Sequence, residues 1–136
     1  MATQLNPYLN FSGQCREAMT FYHECLGGDL MMQKISESPM AAQMPSEMGA
    51  HIMHSSLTSG AIVLMGSDMM GSSLIRGNEF TLCLNCGSDE EINSYFEKLS
   101  SGGKVKTDLH QTFWGATYGE LTDKFGFNWM LNYSRN

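Results

Sequence analysis

Basic side chains are scarce in this chain. Eight Lys and Arg stand against fourteen Asp and Glu, which gives a net charge of −6 over 136 residues. Nucleic acids and anionic membranes both need a basic patch, so neither is expected as a partner. Long apolar runs are also missing, and none approaches the ~20 residues that cross a bilayer. The opening stretch MATQLNPYLNF has no basic segment leading into an apolar one. No secretory signal is therefore expected, and the expected location is the cytoplasm. Charged residues make up only 16%, whereas 42% are hydrophobic, a balance that suits a globular chain with a real core.

Cysteine occurs four times, at Cys15, Cys25, Cys83 and Cys86. In a reducing compartment these are expected as free thiols. Cys83 and Cys86 form a C-x-x-C, but Cys83 falls inside an expected strand, where residues three apart point to opposite faces. No second pair exists to complete a zinc site, and no helix opens at this one. The spacing is read as neither redox nor metal chemistry.

What the chain does contain is an internal repeat. Leu9 to Gly28 (LNFSGQCREAMTFYHECLGG) lies without a gap on Leu84 to Gly103, 75 positions on. Leu9 meets Leu84, Asn10 meets Asn85 and Phe21 meets Phe96, and Gly27-Gly28 meet Gly102-Gly103. These identities sit at a strand, a helix core face and a helix stop, where a fold constrains residue type.

Each copy reads β-α-β-β-β. In the first, a strand over Leu5 to Phe11 precedes a helix over Gly13 to Leu26, with Ala18, Phe21, Tyr22 and Cys25 on its core face. Strands are predicted near Asp29 to Ile35 and on either side of a Ser59-Gly60 turn. Asp68 to Asn78 reads as the linker between copies. In the second, a strand over Phe80 to Asn85 leads to a helix that opens on Ser88. Glu91 three residues on makes a capping box, and Ile92, Tyr95, Phe96 and Leu99 form the core stripe. Strands follow at Lys104 to Leu109, Ala116 to Thr122 and Phe127 to Tyr133, the last two joined by a turn at Asp123 to Gly126. The predicted class is α+β. Two modules, about 1–68 and 79–136, form one domain whose half-open curved mixed sheet surrounds a concave cleft, with helices on the outer face.

The irregular stretch from Ser36 to Gly49 carries Met40, Met44 and Met48 at intervals of four. Thioethers suit soft ions such as Cu(I), but Pro45 interrupts any helix that would align them. Adaptable apolar packing, or a lid over a pocket, is the preferred reading.

The order of elements, with NPYLNF, FTLCLNC and WGATYGELTDKFGFNWML, resembles the vicinal oxygen chelate superfamily, which includes glyoxalase I, bleomycin-resistance proteins and extradiol dioxygenases. The PhnB-like branch is the most similar. That branch is sometimes labelled a demethylubiquinone methyltransferase, yet no strand here runs into a glycine-rich loop for a nucleotide-like cofactor. Metal-dependent members hold a divalent ion with one residue from the first and last strand of each module. The resemblance places these positions at Asn6, Leu64, Thr81 and Met130. They do not make a ligand set for a hard or borderline cation, so no metal and no cofactor are expected.

Strand alternation carried across the hairpins gives the expected cleft lining as Asn6, Tyr8, Asn10, Ser55, Leu57, Ile62, Leu64, Thr81, Cys83, Thr117, Leu121, Asn128, Met130 and Asn132. Trp114 and Tyr118 are candidate rim aromatics, and His54 is expected on the core side. Such a neutral cleft suits a small, partly apolar molecule. It lacks a tuned acid or base, with Glu79, His54 and His110 as the only nearby candidates for that role. The leading expectation is a metal-free small-molecule-binding protein. A metal-dependent lyase or dioxygenase with atypical ligands, for instance His51, His54 or Glu79, stays open. So does a regulatory protein that uses the Met-rich stretch from Met31 to Met70 as a contact surface. The resemblance further implies a homodimer.

Overall fold

The computed structural model describes residues 3–43, 49–69 and 74–135. The chain forms two compact units, Met1–Ile75 and Arg76–Asn136. In the first, the order is β1 (Tyr8–Phe11), α1 (Cys15–Leu26), β2 (Asp29–Lys34), β3 (Ile52–Ser59) and β4 (Ile62–Asp68). Two 3-10 turns, Ile35–Glu37 and Pro39–Gln43, follow β2. The second unit runs β5 (Leu82–Asn85), α2 (Asp89–Ser100), β6 (Lys104–Gln111), β7 (Ala116–Thr122) and β8 (Asn128–Ser134).

Both units are βαβββ modules with the same wiring. The first sheet has the order β1-β4-β3-β2 and the second β5-β8-β7-β6. In each, the first strand lies parallel to the last, and the other pairs are antiparallel. The α+β class and the repeat are thus both present, in two open four-stranded mixed sheets.

Local chemistry explains the element ends. Pro7 has no N–H to give a ladder, so β1 begins after it, although the Pro7 carbonyl still accepts from Met65 N at 3.1 Å. α1 buries Ala18, Phe21, Tyr22 and Cys25 as predicted, and Cys15, Met19 and Leu26 with them. α2 buries Ile92, Phe96 and Leu99. Ser88 Oγ accepts the Glu91 N–H at 3.1 Å, as a cap should. Glu91 Oε1 reaches back one residue further than the capping box requires, to Gly87 N at 2.9 Å.

Two expectations about this framework need correction. The strand predicted from Phe80 begins only at Leu82, and Phe80 before it is 84% exposed. Asp68 was assigned to a linker, but it is the last residue of β4 and is buried. Its carboxylate holds the start of α1, a helix whose Gln14 N-cap makes no side-chain bond of its own. Asp123 plays a comparable part in the second unit. Its Oδ1 accepts from Phe125 N and Phe127 N at 2.8 and 3.1 Å, and its Oδ2 from Trp129 Nε1 at 2.8 Å. The β7–β8 turn is thereby tied to the core indole.

Candidate functional site

Register and alternation divide each sheet into two faces. In the first unit, Leu9, Phe11, Ser55, Leu57, Leu64 and Gly66 lie on the helix side. Ser55 Oγ is 3.5 Å from Cys15 Sγ of α1, and a Cβ on Gly66 would lie 3.4 Å from Met19 Sδ. The opposite face carries a row that crosses all four strands. Tyr8 pairs with Met65, Met65 with Ser56, and Ser56 with Met31. Beside that row, Tyr8 Oη and His54 Nδ1 are 3.3 Å apart, with the rings stacked at 6.0 Å between centroids.

The second unit repeats the plan with different chemistry. Leu82, Leu84, Leu121, Trp129 and Leu131 face α2, with Gly119 against Phe96. On the opposite face, Cys83 pairs with Met130, Met130 with Glu120, and Glu120 with Thr107. The next row is Asn85, Asn132, Tyr118 and His110. Met65 and Met130 hold the same place in the two units, as do Asn10 and Asn85.

This second face is the more organised. Tyr118 Oη donates to Glu120 Oε2 at 2.7 Å. Lys106 Nζ stands 3.7 Å from Glu120 Oε1, brought there by an irregularity of register between Val105 and Thr107. Asn132 Nδ2 donates to Asn85 Oδ1 at 3.3 Å, and the His110 ring meets Tyr118 edge-on at 6.2 Å. Burial pushes the Tyr118 phenol up to about 12, helped by its bond to Glu120 and by the charges of Glu120 and Cys83. Burial also raises the Cys83 thiol.

The predicted lining divides between the faces. Tyr8, Asn10, Cys83, Asn128, Met130 and Asn132 are on the faces away from the helices, and Asn6 and Thr81 lie just before β1 and β5. Ser55, Leu57, Ile62, Leu64, Thr117 and Leu121 turn the other way. Leu57 and Leu121 are fully buried, Leu64 is 2% exposed, and Ser55 is buried under α1. His54, expected on the core side, shares with Tyr8 the face away from α1. Trp114 is 57% exposed in the loop after β6, edge-on to Phe113 at 4.8 Å. Glu79 is exposed. Of the spaced methionines, Met44 and Met48 lie outside the described residues.

Polar residues in the core caused the inversion. Ser55 is buried because its hydroxyl donates to Gly66 O at 2.7 Å, so a serine marks a core position. In β7 the helix side reads Thr117, Gly119, Leu121, which is hardly more apolar than Tyr118 and Glu120 opposite. Glu120, Met65 and Ser56 were missed for the same reason. The β7–β8 register would have found Glu120, since Met130 was correctly faced and Glu120 is its partner.

The superfamily resemblance implies a divalent metal in some members, and the donor set here does not fit one. The first and last strands offer Tyr8 with Met65 and Cys83 with Met130. Thioethers suit only soft ions, and one phenol and one thiol beside them do not complete a set for a hard or borderline cation. Among the described residues, no three His, Cys, Asp or Glu side chains gather into a metal-holding group.

A family model described as 3-demethylubiquinone-9 3-methyltransferase matches residues 3–132. The chain belongs to this family, and its fold is that of the glyoxalase/bleomycin resistance proteins. Protein YjdN of Escherichia coli K12 is 35% identical over 137 residues, which cover 94% of this chain and 93% of YjdN. The crystal structure of PA1353 from Pseudomonas aeruginosa matches with a TM-score of 0.85 at 38% identity, covering 99% of this chain and 100% of that one. The bleomycin resistance determinant of transposon Tn5 matches at 17% identity with a TM-score of 0.59, covering 99% of this chain and 100% of its own. That likeness shows the fold alone. The PhnB-like family description names a methyl transfer, whereas the faces described above carry amides, hydroxyls, thioethers and one held carboxylate.

Proposed function

We propose that this PhnB-like chain binds a small, partly apolar organic molecule and needs no metal ion to do so. The observation that supports this reading is the sheet face of the second unit. Met130 and Cys83 give it an apolar floor, Asn85 and Asn132 supply amides, and the Tyr118–Glu120 pair is fixed at 2.7 Å. Apolar area with a few placed polar groups is what small-molecule recognition uses. The strand positions that the resemblance gives to metal ligands, Asn6, Leu64, Thr81 and Met130, hold an amide, an alkyl group, a hydroxyl and a thioether instead. Homodimerisation and a cytoplasmic location belong to the same reading. The exposed Phe113–Trp114 pair is the surface we assign to contact with a second copy.

Two measurements test the proposal together. Elemental analysis after dialysis against Ni, Zn, Mn and Fe is expected to find no stoichiometric metal. A broad compound library is expected to raise Tm equally with and without a chelator. A metal that stays bound through dialysis, or a ligand response abolished by the chelator, points to the metal-dependent lyase or dioxygenase reading instead.

A further inference from the structure

The register places the Glu120 carboxylate within the rows of the second unit's face away from α2. Its two oxygens are held unequally. Oε2 accepts a short bond of 2.7 Å from Tyr118, which sits two residues away on the same strand. Oε1 has a cation only at 3.7 Å, and that cation is the end of Lys106, whose side chain is 57% exposed against 32% for Glu120. An exposed ammonium on a flexible stem at that distance is a weak and replaceable counter-ion. Tyr118 fixes the carboxylate's orientation without using Oε1. Met130 is the register partner of Glu120 on the neighbouring strand, and the Tyr118 ring, edge-on to His110 at 6.2 Å, lies two residues along its own strand. Aromatic faces and a thioether accept the apolar body of a ligand and tolerate a neighbouring positive charge. The chain's net charge of −6 draws cations toward the surface at long range.

We propose that this face recognises a protonated amine carried on a small apolar or aromatic body, with Glu120 as its counter-ion in place of Lys106. The inference rests on the small-molecule reading and names the class of ligand. In the bound state the ligand ammonium donates to Glu120 Oε1, Tyr118 keeps its bond to Oε2, and Lys106 swings into solvent. Lys106 is therefore a competitor that sets affinity, and Tyr118 is a positioning residue.

The test uses benzylamine, benzyl alcohol and benzoate as probes, followed by amide chemical shifts of the isotopically labelled full chain. Benzylamine is expected to move the amides of Glu120 and Met130 and to bind roughly tenfold more tightly than the other two, as a charge pair on a half-buried carboxylate should. Glu120→Gln removes that preference. Lys106→Met, an exposed change that leaves the fold intact, tightens benzylamine and leaves benzyl alcohol alone. Should Glu120→Gln fail to fold, Lys106→Met still decides the question. Equal binding of all three probes, or tighter benzoate, overturns the amine assignment and leaves the small-molecule reading in place. Weaker benzylamine binding in Lys106→Met also overturns it, as does no shift with any probe. The small-molecule reading itself then stands or falls on the library screen.

Discussion

Asp68 Oδ1 accepts the backbone N–H of Cys15 at 3.0 Å, which joins the end of β4 to the first turn of α1. The same oxygen takes Gly13 N at 2.9 Å, and Oδ2 takes Ile52 N at 2.9 Å, where β3 begins. One buried carboxylate thus satisfies the orphan donors at a helix start and ties three elements of the first unit together. Asp68→Ala would leave three N–H groups without an acceptor. With hydrogen bonds to charged groups at about 1.5–3 kcal/mol each and not fully additive, a loss of about 3–5 kcal/mol is expected. Asp68→Asn keeps one acceptor oxygen and should cost clearly less. Urea unfolding of both variants measures the difference, and near-wild-type stability for the alanine variant would show that the clamp is not structural.

Gly28 and Gly103 show how far the internal repeat reaches. A Cβ on Gly28 would come within 2.2 Å of Thr58 O, and one on Gly103 within 2.3 Å of Thr122 O. These carbonyls sit at matching places in β3 and β7, so each copy needs the same bare backbone where the chain leaves its helix. Neither oxygen belongs to a movable side chain. Gly28→Ala and Gly103→Ala are both expected to lower Tm sharply, by similar amounts. Gly27→Ala is the control, because nothing lies within 4 Å of its added Cβ. Its φ of 74° still strains a side chain, so a smaller loss of about 1–2 kcal/mol is expected there. A Gly103→Ala variant as stable as Gly27→Ala would count against the structural equivalence.

The same repeat explains what could be read from the sequence. Helix stripes, helix stops and the βαβββ order were legible because period and glycine placement are local signals. Which face of β3, β4 and β7 turns outward was not. Leu57 and Leu64 pair with each other, as the expected lining required, yet they look toward α1. Parity fixes which residues go together and leaves the side open. Normally an apolar majority decides the side, but Ser55 is buried by bonding to Gly66 O, and Thr117 and Gly119 give β7 no apolar majority. Asp68 was hidden for a related reason. A carboxylate beside Gly and Ser looks like a linker until the distant N–H groups that it serves come into place.

The four thiols should differ in reactivity. Cys15, Cys25 and Cys86 are buried, and Cys83 is exposed. Burial drives Cys15 and Cys86 each to about 11, and for Cys15 it outweighs the opposing effect of the 3.5 Å contact between its sulfur and Ser55 Oγ. Thiolate is the reactive form, so these stay inert at neutral pH. With an aromatic disulfide reagent, one thiol of the native chain should react, slowly because burial raises Cys83 as well, and all four should react after denaturation. Cys83→Ser should remove the native reaction. Rapid reaction of two thiols in the native chain would contradict the burial of Cys15 and Cys86.

Tyr118 gives the pH prediction. Its phenol rises from 10.0 to about 12, first through burial, then through its bond to Glu120 and the charge of that carboxylate. The folded chain therefore holds this proton more tightly than the unfolded chain. The stability it contributes is fully present below pH 10 and is lost as pH rises through about 12. In an alkaline titration followed by phenolate absorbance, Tyr118 should ionise late together with Tyr95, whose phenol burial also raises, and Tyr118→Phe should delete one of the late steps. Glu120→Gln removes the charge and leaves a single amide oxygen as acceptor, so the step should move down in pH. It should not reach the ordinary tyrosine range, because burial, the largest cause, remains. A late step unaffected by Glu120→Gln would mean that burial alone sets the phenol. The Tyr118–Glu120 bond would then not hold the carboxylate in place for a ligand.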